Sequence, residues 1–261
     1  MLDDLAALAL DSHLARERVT AVHRPAIDNV STNMEHAFAG VQLGHRTTGL
    51  AYARLPHPDS TPVAANVAVA EGQPAGQVIE SLVTVGGAIA PASMATLNAV
   101  LLARNAASLD RATALVDTVV PFAAAETVGM VGYFAPLVPI LLAAGHTLAV
   151  LELDASTWQA GPRLNVGNDP TVLAHCATVL CTATVLLNGS FDAVRAAAAN
   201  CSRFVMVGPT TPLAPAVLGA HGVTHMAGRV VADDAAFWSA CRASDDWTPS
   251  TRKFVLETKN A

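Results

Sequence analysis

TVGMVGYFAPLVPILLAAGHTLAVLE, residues 127–152, is the stretch that decides the fold. Between positions 128 and 151 it carries no Asp, Glu, Lys or Arg, and it is long enough to span a bilayer. Gly129, Gly132, Pro136, Pro139, Gly145 and His146 interrupt it, and no basic flank borders it. Those breakers divide the run into a strand (127–131), a glycine-containing loop, a helix to position 144 and a second strand (147–151) ending at Glu152. The run is therefore the opening of an alternating strand–helix sheet, and no membrane association is expected.

Downstream the same rhythm continues. Strands are expected at 178–182, 204–207 and 222–226, with an alanine-rich helix at 188–200 and a last helix at 233–243. This alternation predicts an α/β unit: a parallel sheet with helices on both faces. Upstream the pattern differs. A helix is expected over 2–19, then strands at 20–27, 37–43 and 49–55, then helices at 77–85 and 94–107, with a polar proline-rich loop at 56–62. That half reads as a small α+β unit, a β-meander followed by helices. The expected boundary lies at 119–125, giving domains 1–120 and 121–261.

The 261 residues hold 15 Lys plus Arg against 21 Asp plus Glu, a formal net charge of −6. Such a chain lacks the basic surface that phosphate backbones demand, so a nucleic-acid partner is not expected. Charged residues are 14% of the chain and its mean hydropathy is +0.41, against about 25% charged in ordinary globular domains. Global disorder is excluded, and a homo-oligomer, a dimer first, is expected to cover part of the surface. The start, MLDDLAALAL, has acids where a secretory signal needs a basic segment, which predicts a cytoplasmic protein.

In open parallel sheets ligands bind beyond the carboxyl ends of the strands, and that rule selects four loops. Gly129 and Gly132 open the first; Tyr133 and Phe134 follow, able to stack on a flat ring or to plug the loop. The match to a dinucleotide fingerprint is poor, so a nucleotide site and a packed tight turn are both open. Glu152 closes the second strand, where an acid accepts from ribose hydroxyls, binds a metal or an amine, or is simply solvated. Thr182 and Thr184 with Asn188 form the third group, suited to a carboxylate, phosphate or sugar; Asn188 or Ser190 also suits an N-cap. Gly208, Thr210 and Thr211, between Pro209 and Pro212, form the fourth, a ligand loop or a rigid connector.

Metal ligands are less evident. Cys176, Cys181, Cys201 and Cys241 lack zinc-knuckle spacing and disulfide-scaffold density, and core packing is expected for them. His221 and His225 are not a helical pair, and His23, His36, His45 and His57 are scattered. No HExxH, P-loop or GxSxG motif is present.

The motifs VGMVGYFAPLVPIL, LELD, TATVLLNGS and VGPTTPLAP, with VQLGHRTTGLAYA and ASMATLNAVLLARNA in the first half, together resemble the domain-of-unknown-function family labelled "putative heavy-metal chelation". The resemblance runs in order over most of the chain. It implies a Rossmann-like C-terminal domain behind an enolase-N-terminal-like one, with a pocket of Gly132, Tyr133, Phe134, Glu152, Thr182, Thr184, Asn188, Gly208, Thr210 and Thr211. This chain departs from the family pattern at Ala183 and Val185, in a turn often rich in Thr and Gly, and at Leu153, where a basic residue often stands.

Two functions follow as expectations. One is binding or handling of a small anionic or heteroaromatic ligand or a metal chelate in the interdomain cleft, with a metal ion or chelate as the bound group. The other is a transferase or lyase acting on a nucleotide-like substrate, with Glu152 as general base. A structural or interaction protein is a third reading.

Overall fold

The computed structural model describes residues 1–25, 37–44, 47–53, 69, 71–82, 89–112, 126–153, 155 and 158–259. The second half builds a seven-stranded sheet from β4 (Thr127–Val131), β5 (Thr147–Leu151), β6 (Leu164–Gly167), β7 (Thr178–Thr182), β8 (Arg203–Val207), β9 (His225–Val231) and β10 (Thr251–Glu257). Their order is β10-β9-β8-β7-β4-β5-β6. All neighbours are parallel except β9 and β10, which pair antiparallel from Thr251 opposite Val231 to Glu257 opposite His225.

Alternation along each strand explains the two covered faces. Val128, Met130, Leu148, Val150, Leu180, Val205 and Val207 point to one face and pack with Val138 and Leu141 of α4 (Val138–Ala143). Val131, Val179, Cys181, Phe204, Met206 and Met226 point to the other. There they meet Leu173, Phe191 and Val194 of α5 (Phe191–Ala197), and Leu218 of α6 (Pro215–Ala220). This second cluster continues without a break into Leu5 of α1 (Leu2–Leu10), Val41, Ile79 of α2 (Ala75–Glu80), and Met94, Leu97 and Leu101 of α3 (Pro91–Asn105).

The first half contributes a three-stranded antiparallel sheet, β1 (Val19–His23), β2 (Phe38–Leu43) and β3 (Thr47–Tyr52), in that order. One face lies under α3. Gly49 permits the approach, since a Cβ there would fall 2.1 Å from the Ala95 carbonyl oxygen and 2.3 Å from the Ala99 nitrogen. The other face receives α7 (Asp234–Ala243), whose Phe237 and Trp238 form an aromatic cluster with Leu50 and Trp247. Trp238 Nε1 donates to Thr48 Oγ1 at 3.0 Å, and Thr48 in turn donates to Asp234. The meander is thus held between a helix of its own half and one whose contacts come from 186 and 190 residues later.

Several expected boundaries move. The first helix ends at Leu10, not at 19, because Ser12 Oγ accepts the Leu14 N–H and starts a separate 3₁₀ turn, His13–Arg16. The helix expected from 188 starts at Phe191, since Asn188 Oδ1 accepts from Ser190 and fixes a turn instead of a cap. The strand expected at 222–226 is β9, from His225, because Gly222 (φ +79°) closes the α6 terminus first. The helix expected at 77–85 is α2, ending at Glu80, and that at 94–107 is α3, opening on Pro91 at its first turn. Strands β6 and β10 were not expected. The boundary at 119–125, the loop at 56–62, and His36, His45 and His57 lie outside the described residues. No helix among the described residues is long and apolar enough to cross a membrane: Gly132 and Gly145 limit α4 to one short element.

Candidate functional site

The strand order locates the crevice. From β4 the chain moves outward through β5 and β6, then returns to the opposite side of β4 with β7. The switch point of the sheet therefore lies between the carboxyl ends of β4 and β7, where α/β proteins bind ligands. Gly132 stands at one lip and Thr182 at the other. Gly132 has φ +82°, a conformation that favours glycine, and a Cβ there would press on Thr182 Cγ2 at 3.1 Å. Its N–H donates to the Leu151 carbonyl at 2.9 Å, which closes β4 onto β5.

Glu152 follows β5, with its own N–H anchored to the Gly167 carbonyl at 2.8 Å. Its carboxylate is held on both oxygens. Tyr133 N–H donates to Oε2 at 2.8 Å and Leu153 N–H to Oε1 at 2.9 Å. The charge is thus fixed in place beside the glycine loop, half-buried, and each oxygen retains a lone pair. Tyr133 stacks on Trp158, centroids 3.8 Å apart and planes 9° from parallel. Tyr133 and Phe134 both pack against the α4 face of the core, and the Phe134 N–H meets Met130 Sδ at 3.4 Å.

Across the crevice, Thr182 Oγ1 and Thr184 Oγ1 lie 3.0 Å apart, and Thr182 Oγ1 accepts the Thr184 N–H at 3.3 Å. This hydroxyl pair opens the short 3₁₀ helix Ala183–Leu186. Asn188 is exposed, and its Oδ1 already accepts from Ser190 N–H at 3.1 Å and Ser190 Oγ at 2.6 Å. Gly132, Tyr133, Glu152, Thr182 and Thr184 therefore share one edge.

The 208–212 loop leaves β8 beside Thr182, since Val207 pairs with that residue, but its threonines turn inward. Thr210 is 1% exposed, and its hydroxyl accepts the Tyr52 N–H at 2.9 Å. Asn98 Nδ2 donates to the Thr210 carbonyl at 2.9 Å and to Leu50 at 2.8 Å. Thr211 Oγ1 donates to the Ala227 carbonyl at 3.3 Å, and Gly208 N–H to the same oxygen at 2.8 Å. These polar groups join the two sheets; the loop's hydroxyls are turned to the protein. Two cavities among the described residues lie elsewhere. One of about 120 Å³ is lined by Leu2, Ile89, Leu186, Gly189, Phe191 and Asp192. A crevice of about 20 Å³ lies among Thr48, Asn98, Thr211 and Arg229. Both are below the size of ordinary small-molecule pockets, and neither is lined by Gly132, Tyr133, Glu152 or Thr182.

A protein-held heavy metal does not fit the described residues. Among them, no three His, Cys, Asp or Glu side chains come together. The thiols are not poised as ligands either: burial pushes Cys176, Cys181 and Cys201 up, and Cys241 up to about 11, away from the thiolate that metals bind.

Trp158 escaped the sequence reading. It stands six residues beyond Glu152 in a polar loop, and its one sequence signal is that position after the second-strand acid. The backbone donors of Tyr133 and Leu153 were equally hidden, since no residue type encodes them.

Comparison with known proteins agrees with this architecture. A crystal structure from Desulfitobacterium hafniense DCB-2, of unknown function, superposes with a TM-score of 0.74 at 18% identity, covering 97% of this chain and 98% of that one. Another of unknown function, from Pyrococcus horikoshii, gives 0.69 at 17% identity, covering 98% and 99%. Both are from the DUF364 family. No curated protein matches the sequence. The DUF364 model, described as "Putative heavy-metal chelation", matches residues 114–258, more than half of the chain, and the chain belongs to that family.

Proposed function

We propose that this protein binds a small organic ligand at the carboxyl edge of β4, β5 and β7. The observation that carries the reading is the Glu152 carboxylate, held on both oxygens by Tyr133 and Leu153 N–H groups at the end of β5, one strand from the switch point of the sheet. A carboxylate so fixed accepts hydroxyl or amine donors without reorganisation. The Thr182–Thr184 hydroxyl pair, bonded to each other, leaves one O–H to donate on the opposite lip, and Tyr133 with Trp158 supplies a flat apolar surface beside Glu152.

The family description adds metal handling. With no three-donor cluster among the described residues, a metal would arrive as a preformed chelate whose organic part is recognised. Native mass spectrometry of gently purified protein, with elemental analysis of the same sample, tests this. A retained small molecule, alone or with stoichiometric metal, is the expected result, on a dimer. In calorimetry with that molecule, Glu152→Gln should weaken binding; unchanged affinity would refute the site.

A further inference from the structure

We infer that Tyr133 and Trp158 form an aromatic platform which, with Glu152, selects a nucleoside: a flat ring joined to a vicinal diol. The inference rests on the proposed ligand site at the carboxyl edge and names its ligand class.

Four observations converge beside Glu152. The Tyr133 N–H is bound to Glu152 Oε2 at 2.8 Å, so one residue both orients the carboxylate and bears the phenol ring. The Tyr133 ring is stacked face to face on Trp158 at 3.8 Å. Trp158 is nonetheless 36% exposed, whereas Trp238 and Trp247 are 8% and 2% exposed within the core. Leu153, whose N–H holds the other carboxylate oxygen, is 71% exposed beside it. Large apolar groups are thus gathered around a fixed charge at a ligand-binding edge, and an indole in that setting offers a stacking surface to another ring.

Glu152 sets what the ring must carry. One backbone N–H on each oxygen leaves acceptor capacity on both oxygens. Two neighbouring hydroxyls donate to both at once; a single hydroxyl satisfies one. Among the described residues no Lys, Arg or His pairs with this carboxylate, so it repels a phosphate or carboxylate placed directly on it and favours the neutral diol. A flat ring and a diol in one molecule, a short reach apart, describe a nucleoside.

Calorimetry on the full chain with adenosine, 2′-deoxyadenosine and ribose tests this. Adenosine should bind wild type, and Trp158→Leu should weaken it about tenfold, the effect of losing one base–aromatic stack, while leaving the weak ribose affinity unchanged. Trp158→Phe should restore most of the loss. 2′-Deoxyadenosine should bind wild type about tenfold more weakly, the effect of losing one hydrogen bond to a charged group, and Glu152→Gln should erase that preference. Equal adenosine affinity in wild type and Trp158→Leu, or no preference for the diol, overturns the nucleoside assignment. Failure of adenosine to bind wild type overturns it too. In that case a different molecule retained in native mass spectrometry and lost in Glu152→Gln keeps the broader ligand site, and no retained molecule refutes both.

Discussion

The side-chain amide of Asn98 donates to the main-chain carbonyl of Thr210 at 2.9 Å, joining α3 to the loop that follows β8. The same nitrogen donates to Leu50 of β3 at 2.8 Å, and seven residues on, Asn105 Nδ2 repeats the device on the Leu213 carbonyl at 2.8 Å. One helix face thus fastens the meander to the large sheet. Asn98→Leu would leave two buried carbonyls without donors. The expected loss is about 3 kcal/mol of unfolding free energy, read by urea denaturation; a loss below a third of that would show that water replaces the amide.

The crevice loop depends on Gly132. Gly132→Ala places a side chain at φ +82° and against Thr182. The expected cost is about 1–2 kcal/mol, the ordinary penalty of left-handed backbone for an L-residue. A thermal melt should move down, and binding at the carboxyl edge should weaken with it, because the Tyr133 N–H that orients Glu152 follows directly in the chain. Retained stability with retained binding would show that the loop relaxes without strain.

Gly49→Ala is a sharper test of packing. Its Cβ would meet backbone atoms of α3 at 2.1 and 2.3 Å, and no rotamer can relieve a clash with main chain. Overpacking of this kind costs about 3 kcal/mol or more, so the variant should fail to accumulate in folded form or melt far below wild type.

The thiols should be slow. Cys181 is fully buried and Cys176 nearly so, and burial raises their thiols away from the reactive thiolate. In a timed reaction with a thiol reagent at pH 7.5, Cys176 and Cys181 should be protected natively and react on unfolding. Prompt native labelling of Cys181, located by peptide mass, would reopen a thiol route to heavy metals.

His225 links stability to pH. Its pKa lies below the ordinary 6.5, first because burial disfavours the cation, then because Arg203 lies near; Glu257, 3.7 Å away, opposes the shift. The unfolded chain therefore binds the proton more readily than the folded one. This group's contribution is present above about pH 6.5 and declines as pH falls through the folded value. Wild type should lose melting temperature between pH 7.5 and 5, and His225→Gln should flatten part of that slope. An identical slope would assign it elsewhere.

The carboxyl-edge groups were legible to unequal degrees. Glu152, Gly132 and Tyr133 could be selected because a strand-end acid and a glycine loop mark the edge of a parallel sheet whatever the rest of the chain does. Thr210 and Thr211 shared the same marks, yet their hydroxyls are spent on Tyr52 and Ala227. Nothing in the local pattern distinguishes a hydroxyl facing a ligand from one facing β3, 158 positions away.

The sequence by itself determined the strands β4, β5, β7 and β8, since short apolar runs between glycine, proline and polar turns have few other solutions. It also determined the class of the sheet, through alternation with helices. Tertiary structure alone decided that β10 closes the sheet antiparallel, that α7 packs on the meander, and that Trp158 lies on Tyr133. Those outcomes depend on contacts between distant segments, and a local pattern carries the burial of a side chain but not the identity of what buries it.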